Sequence, residues 1–141
     1  MKKATLKLSS GELPLGAIGH ILNAVPLDLT FIDDNDTVRF YSPVEGRIFP
    51  RSPAVIGKRV QQCHPQKSIA AVNKILSDFK SGARSFAEFW IALQGKVILI
   101  CYFAVRDEKG KYLGTLEASQ DITRIQKLEG EKRLLGENPP K

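Results

Sequence analysis

The second half of the chain holds three strand-like runs almost back to back, residues 84–93, 96–106 and 111–120. Only Gln94-Gly95 and Asp107-Glu108-Lys109-Gly110 separate them. Connections this short, built from glycine and small polar residues, join neighbouring antiparallel strands, whereas parallel strands need a crossover of a dozen or more residues. The second half therefore reads as a meander, and the rest of the chain must fold around it.

Two more strands precede it in LDLTFIDDNDTVRFYSP, residues 27–32 and 37–41, joined by Asp33-Asp34-Asn35-Asp36. Short acid and amide side chains bond their own backbone in such turns. Between hairpin and meander, residues 67–80 place Ile69, Val72, Ile75, Leu76 and Phe79 on one stripe of a helix, with Ser68 as an early cap and Gly82 to close it. A shorter helix is predicted over 13–24 from Leu15, Ile18, Ile21, Leu22 and Val25, ending before Pro26. The segment VEGRIFPRSPAVIGKRVQQCHPQ carries Pro50, Pro53, Pro65, Gly46 and Gly57, so it reads as short helical turns crossing one sheet face. This order predicts an α/β (α+β) fold: a five-stranded antiparallel sheet with its helices on one face.

At 141 residues and 43% hydrophobic, the chain suits one domain with a core. No run approaches the roughly eighteen apolar residues of a membrane span. Lys2 and Lys3 begin as a signal peptide would, yet Ser9, Ser10, Gly11 and Glu12 interrupt any apolar region. The expectation is a cytoplasmic protein with no membrane partner. Cys63 and Cys101 form no CxxC pattern and read as separate reduced thiols. The formal charge of +6 raises nucleic acid as a partner, but the basic residues are scattered and interleaved with Glu129 and Glu131, so a solvated surface is preferred.

The hairpin LDLTFIDDNDTVRFYS, the Gly-Lys…His-Pro segment VIGKRVQQCHP, the helix at 67–80 and the ending RDEKGKYLGTLEASQDIT together resemble a PAS domain. The resemblance spans residues 13–135, and RIFPRSPAVIGKRVQQCHP with AEFWI resembles the PAS subgroup attached to hemerythrin-like regulatory regions. It implies a sensory domain at 13–120 and an outgoing signalling helix at 121–135, while residues 1–12 read as a flexible lead-in and 136–141 as a disordered tail.

It also implies a function: binding a small molecule or a partner protein and relaying the change through the C-terminal helix. Asp121 would cap that helix and Thr123 would bond back to the domain. Ile125, Leu128 and Leu135 would form the seam of a homodimer, and a hemerythrin-like or other regulatory region is an expected partner. The ligand-pocket candidates are Phe31, Phe40, Ile56, Val60, Ile75, Phe79, Trp90, Ile100, Tyr102 and Leu116, with Arg39, Arg47 and Arg51 to read an anionic group. Simple core packing is a competing account of the apolar ones. Some PAS domains hold haem through a histidine, which makes His64 the ligand candidate for a redox or gas sensor, although a haem-free structural histidine is the preferred reading. A ligand-free interaction domain is the third alternative.

No nucleophile-base pair, P-loop or His-Glu-x-x-His motif is present, so no catalytic residue is assigned and an enzyme is not expected. The acids Asp33, Asp34 and Asp36 lack the ligand spacing of a calcium loop, so no metal site is assigned.

Overall fold

A computed structural model describes residues 4–43 and 46–135. Strands β3 (Asp28–Asp33), β4 (Val38–Tyr41), β5 (Phe86–Leu93), β6 (Lys96–Arg106) and β7 (Tyr112–Asp121) form one antiparallel sheet in the order β4-β3-β7-β6-β5. The predicted meander is β5-β6-β7, and β7 closes the sheet by pairing with β3 of the first hairpin.

The main helix, α2 (Gln66–Ser81), joins the two halves of the core. Val72 and Leu76 pack with Ile32, Val38 and Val60 near the first hairpin. One helical step away, Ile75 and Phe79 pack with Ala87, Ile98, Ile100 and Tyr102 of the meander. Phe79 is completely buried. The helix ends at Gly82, which takes the left-handed conformation. It begins at Gln66, two residues before Ser68, with Pro65 at the cap position and no side chain bonding to the helix end. Pro65 has no N–H to satisfy and its ring presets the entering backbone, so the helix start does not depend on a polar cap.

Between β4 and α2 the chain makes short 3-10 turns at Pro53–Val55 and Val60–Cys63. The acidic turn divides its tasks. Asp33 accepts hydrogen bonds from the Asn35 and Thr37 amides and from Arg39 Nε. Asp36 is buried and ion-paired with Lys80 Nζ at 2.8 Å, which ties the hairpin turn to α2.

Two further predictions differ from the structure. Residues expected as a lead-in at 1–12 instead include β1 (Thr5–Leu8) and β2 (Gly11–Pro14), which pair as a separate two-stranded hairpin before α1 (Leu15–Ala24). The signalling helix expected over 121–135 is a single 3-10 turn, Ile125–Lys127, followed by extended backbone at Leu128. Leu128 and Leu135 are 64% and 90% exposed. A helix this short gains too little from its own hydrogen bonds and depends on tertiary packing, which the single chain does not supply here. The expected tail at 136–141 lies outside the described residues.

Candidate functional site

Side chains alternate across a strand, so the antiparallel register decides which residues share a face. Ala87 and Tyr102 pack under Phe79, which identifies the helix-covered face. Following that register across the sheet gives one row on this face: Ala87, Tyr102, Glu117, Thr30 and Tyr41. The next row is Phe89, Ile100, Ser119 and Asp28. Where β3 meets β7, the covered face is therefore polar: Asp28, Thr30, Glu117 and Ser119 are all buried.

The loop after β4 lays two arginines over this polar quarter. Arg47 donates to the carbonyls of Ser42 (2.7 Å), Phe49 (3.0 Å) and Leu29 (3.3 Å) and to the hydroxyls of Ser42 and Thr30. Asp28 accepts the Ile48 amide and lies 4.0 Å from Arg47 Nε. Arg47 thus clamps the loop to the sheet. Arg51 stands differently, with Nη2 3.9 Å from Glu117 Oε2 and no hydrogen bond to any described residue. Glu117 is buried, 6% exposed as a residue, and its carboxylate likewise takes no hydrogen bond from the described residues.

Burial pushes the Glu117 carboxyl above its ordinary range, against the pull of Arg51, His64 and Arg47, while Asp28 adds to the rise. Burial and the Glu117 charge also raise the Tyr102 hydroxyl. For Glu117 the sign follows: between its unfolded pKa, about 4.3, and its higher folded pKa, the folded state holds the extra proton. Its contribution to stability therefore falls as pH rises through that interval. Glu117→Gln is expected to remove this slope. Urea midpoints of both proteins from pH 4 upward check it, and parallel pH curves would refute it.

Of the candidates named from sequence, Val60, Ile75, Phe79, Ile100, Tyr102, Arg47 and Arg51 lie in or against the covered core or its loop. Phe31, Phe40, Leu116 and Trp90 do not. Phe31, Phe40 and Leu116 share one row with Phe103, on the face away from α2. Trp90 is on that same face, opposite Leu99, and 66% exposed. Hydrophobicity alone selected both faces, because both are apolar. Ile56 is exposed, and Arg39 turns to the Asp33 turn at 2.7 Å. His64 is half-buried, and its Nδ1 donates to the Val60 carbonyl at 3.0 Å. Sequence reading missed Glu117, Asp28, Thr30 and Ser119. A signal existed in β7: Thr115, Glu117 and Ser119 alternate with Leu116 and Ala118, an unusual polar stripe for a central strand.

At the exit of β7, Asp121 Oδ1 accepts from the Thr123 amide (3.0 Å) and hydroxyl (2.6 Å). The Thr123 hydroxyl in turn accepts from the Val97 amide at 2.9 Å, and the Ile122 amide donates to the Val97 carbonyl at 2.9 Å. These hydrogen bonds to Thr123 hold the Asp121 carboxyl below its usual pKa. Thr123→Val removes both hydrogen bonds of the hydroxyl, to Asp121 and from Val97, and is expected to cost about 1–3 kcal/mol. Faster hydrogen exchange at the Val97 amide checks it, and unchanged protection there would count against the latch.

Among the described residues, no three His, Cys, Asp or Glu side chains are grouped to hold a metal, and no helix is long and apolar enough to cross a membrane.

The fold and site define an α+β domain whose five-stranded sheet carries a buried polar site beneath the loop that follows β4. A protein-family model described as "PAS domain" matches residues 18–123. The chain belongs to the PAS domain family, a family of sensory modules. It is similar to the crystal structure of a C-terminal domain from Streptococcus mutans, with 30% identity, TM-score 0.83, and 92% of this chain and 100% of that one covered. A sensory box sensor histidine kinase from Vibrio cholerae shares the fold at 12% identity and TM-score 0.55, covering 75% of this chain and 89% of that one. A PAS domain from Colwellia psychrerythraea does so at 15% identity and TM-score 0.57, covering 78% of this chain and 98% of that one. A search of curated proteins returned no match.

Proposed function

We propose that this chain is a signal-sensing module whose ligand is a small polar molecule held at Glu117 and Arg51. The observation that carries the reading is a pair of charged groups, withdrawn from water and facing one another at 3.9 Å, with no hydrogen bond between them. Burying a carboxylate without a donor is costly, so such a pair persists where a further molecule completes it. A bound ligand would alter how the Arg47-clamped loop sits on β3 and β7. The same strand β7 leads directly into Asp121 and Thr123, so the change has a covalent route to the outgoing segment.

The protein is read as a binding module rather than an enzyme, working in the cytoplasm, where the free thiols Cys63 and Cys101 would stay reduced. A hemerythrin-like or other regulatory region is the proposed recipient of the signal, on the resemblance of RIFPRSPAVIGKRVQQCHP to that PAS subgroup. Native mass spectra of freshly purified protein, beside denaturing ones and an absorption scan, test the sensing function. A retained small molecule supports it, a haem band would move the ligand to His64, and a bare chain would favour a protein-binding domain.

A second copy of the chain is the proposed cover for the outer sheet face and the C-terminal segment. Phe86, Trp90 and Phe103 are exposed on that face, and Ile125, Leu128 and Leu135 are exposed beyond it. Three large aromatic rings and three aliphatic side chains offer several hundred Å² of apolar surface, approaching the roughly 800 Å² per partner of a stable interface. Trp90→Glu is expected to weaken the dimer by about tenfold or more. Sedimentation velocity reads this directly, and an equally tight dimer in the variant would remove the sheet face from the interface.

A further inference from the structure

We propose that the Arg51–Glu117 site selects a ligand of no net charge whose head places one hydrogen-bond acceptor beside one donor, as a primary carboxamide does, on a short apolar tail. The inference rests on the sensing function above and narrows it to a ligand class.

Three observations lead there. The first is the spacing. At 3.9 Å, Arg51 Nη2 and Glu117 Oε2 are too far apart for a direct hydrogen bond, whose ordinary length is about 2.9 Å, yet close enough to balance each other's charge. Their side chains are 13% and 8% exposed, so water reaches them poorly. A ligand with a net charge would upset that balance in a place where an unmatched charge is expensive. A neutral head leaves it intact while its carbonyl accepts from Arg51 and its N–H donates to Glu117.

The second is that the other charged group nearby is already committed. Arg47 spends its N–H groups on three carbonyls and two hydroxyls and stands beside Asp28. Its Nε and Nη1 donors are spent and Nη2 already donates to Thr30, so Arg51 with Glu117 is the less committed pair for recognition. A donor supplied by the ligand also gives Glu117 the hydrogen bond it lacks, which draws its raised pKa back down.

The third is the apolar neighbourhood of the pair. Tyr102 neighbours Glu117 in the same row, and its ring stacks on Phe89 with centroids 6.0 Å apart. Phe89 belongs to the edge strand β5 on the covered face and is exposed to solvent, with Ile100 beside it in its row. A short branched tail with its polar head at Glu117 would rest against the Tyr102 ring, the next residue in that row.

Isovaleramide, isovalerate and isoamylamine share one branched tail and differ in charge, so they test the class on the full chain. Molecules of this size bind on the order of millimolar, which makes NMR shift titration the suitable readout. Isovaleramide is expected to bind, with the two charged compounds about tenfold or more weaker. Glu117→Gln leaves Arg51 unmatched and should turn the preference to isovalerate. Arg51→Gln leaves Glu117 unmatched and should turn it to isoamylamine. A wild-type preference for either charged compound, or isovaleramide binding that ignores both variants, overturns the proposal. If a charged compound binds through Glu117 and Arg51, the ligand class falls and the sensing function stands. If none of the three binds and native spectra retain no small molecule, both fall together.

Discussion

Arg47→Met is expected to lower folding stability by about 3–5 kcal/mol and to release the loop from the sheet. Methionine keeps most of the stem volume but has no donor, so the carbonyls of Leu29, Ser42 and Phe49 lose a hydrogen bond each. Asp28, buried at the end of β3, loses the guanidinium 4.0 Å away and keeps the Ile48 amide alone. Part of the cost is therefore an uncompensated buried charge, which is why the effect exceeds that of an ordinary surface arginine. Burial already lowers the Arg47 pKa, opposed by the nearby Asp28 carboxylate, so that carboxylate helps to keep the guanidinium charged. A urea midpoint together with hydrogen exchange across residues 46–51 checks the prediction. A stability loss under about 1 kcal/mol, with normal protection of the Ile48 amide, would show that the loop is held by its apolar contacts through Ile48 and Phe49 instead.

Gly114→Ala is expected to cost about 3 kcal/mol or more. Gly114 lies on β7 opposite Asp33 of β3, with φ of +156°. A Cβ built there would sit 2.2 Å from the Ile32 carbonyl oxygen and 2.6 Å from Phe31 Cζ. The ring can swing away, but the carbonyl belongs to the adjoining strand and can move only if the β3-β7 pairing opens. The same substitution at Gly95, in the β5-β6 turn with φ of +78° and nothing within 4 Å, should cost only about 1 kcal/mol, the ordinary penalty of a left-handed alanine. Comparing the two midpoints separates steric crowding from backbone strain. Equal losses would mean that β3 and β7 yield more readily than their register suggests.

Those two positions also show how unevenly the molecule can be read from its residues. Gly114 gave no sequence sign of its special place: it sits inside a strand-like run, and its crowding comes from Ile32 and Phe31, more than eighty residues earlier. Arg47 was named as a ligand-reading candidate, yet its bonds make it the fastener of the loop, leaving recognition to Arg51. The four polar residues of the covered face went unnamed because burial of a Glu or Asp runs against their ordinary preference for water. Only the pairing of β3 with β7 brings Asp28, Thr30, Glu117 and Ser119 together.

Local chemistry was enough to determine the five strands, the α2 stripe, the acidic turn and the left-handed Gly82 stop, because each depends on neighbours within a few residues. Pairing within the hairpin and within the meander also followed from their short connections, whereas the pairing of β3 with β7 did not. The covered face, the clamp and the unbonded Arg51–Glu117 pair depend on register across β3, β7 and β6 and on where the intervening loop comes down. A one-residue slip in that register would exchange Glu117 for Leu116, so these features were decided by the tertiary structure alone.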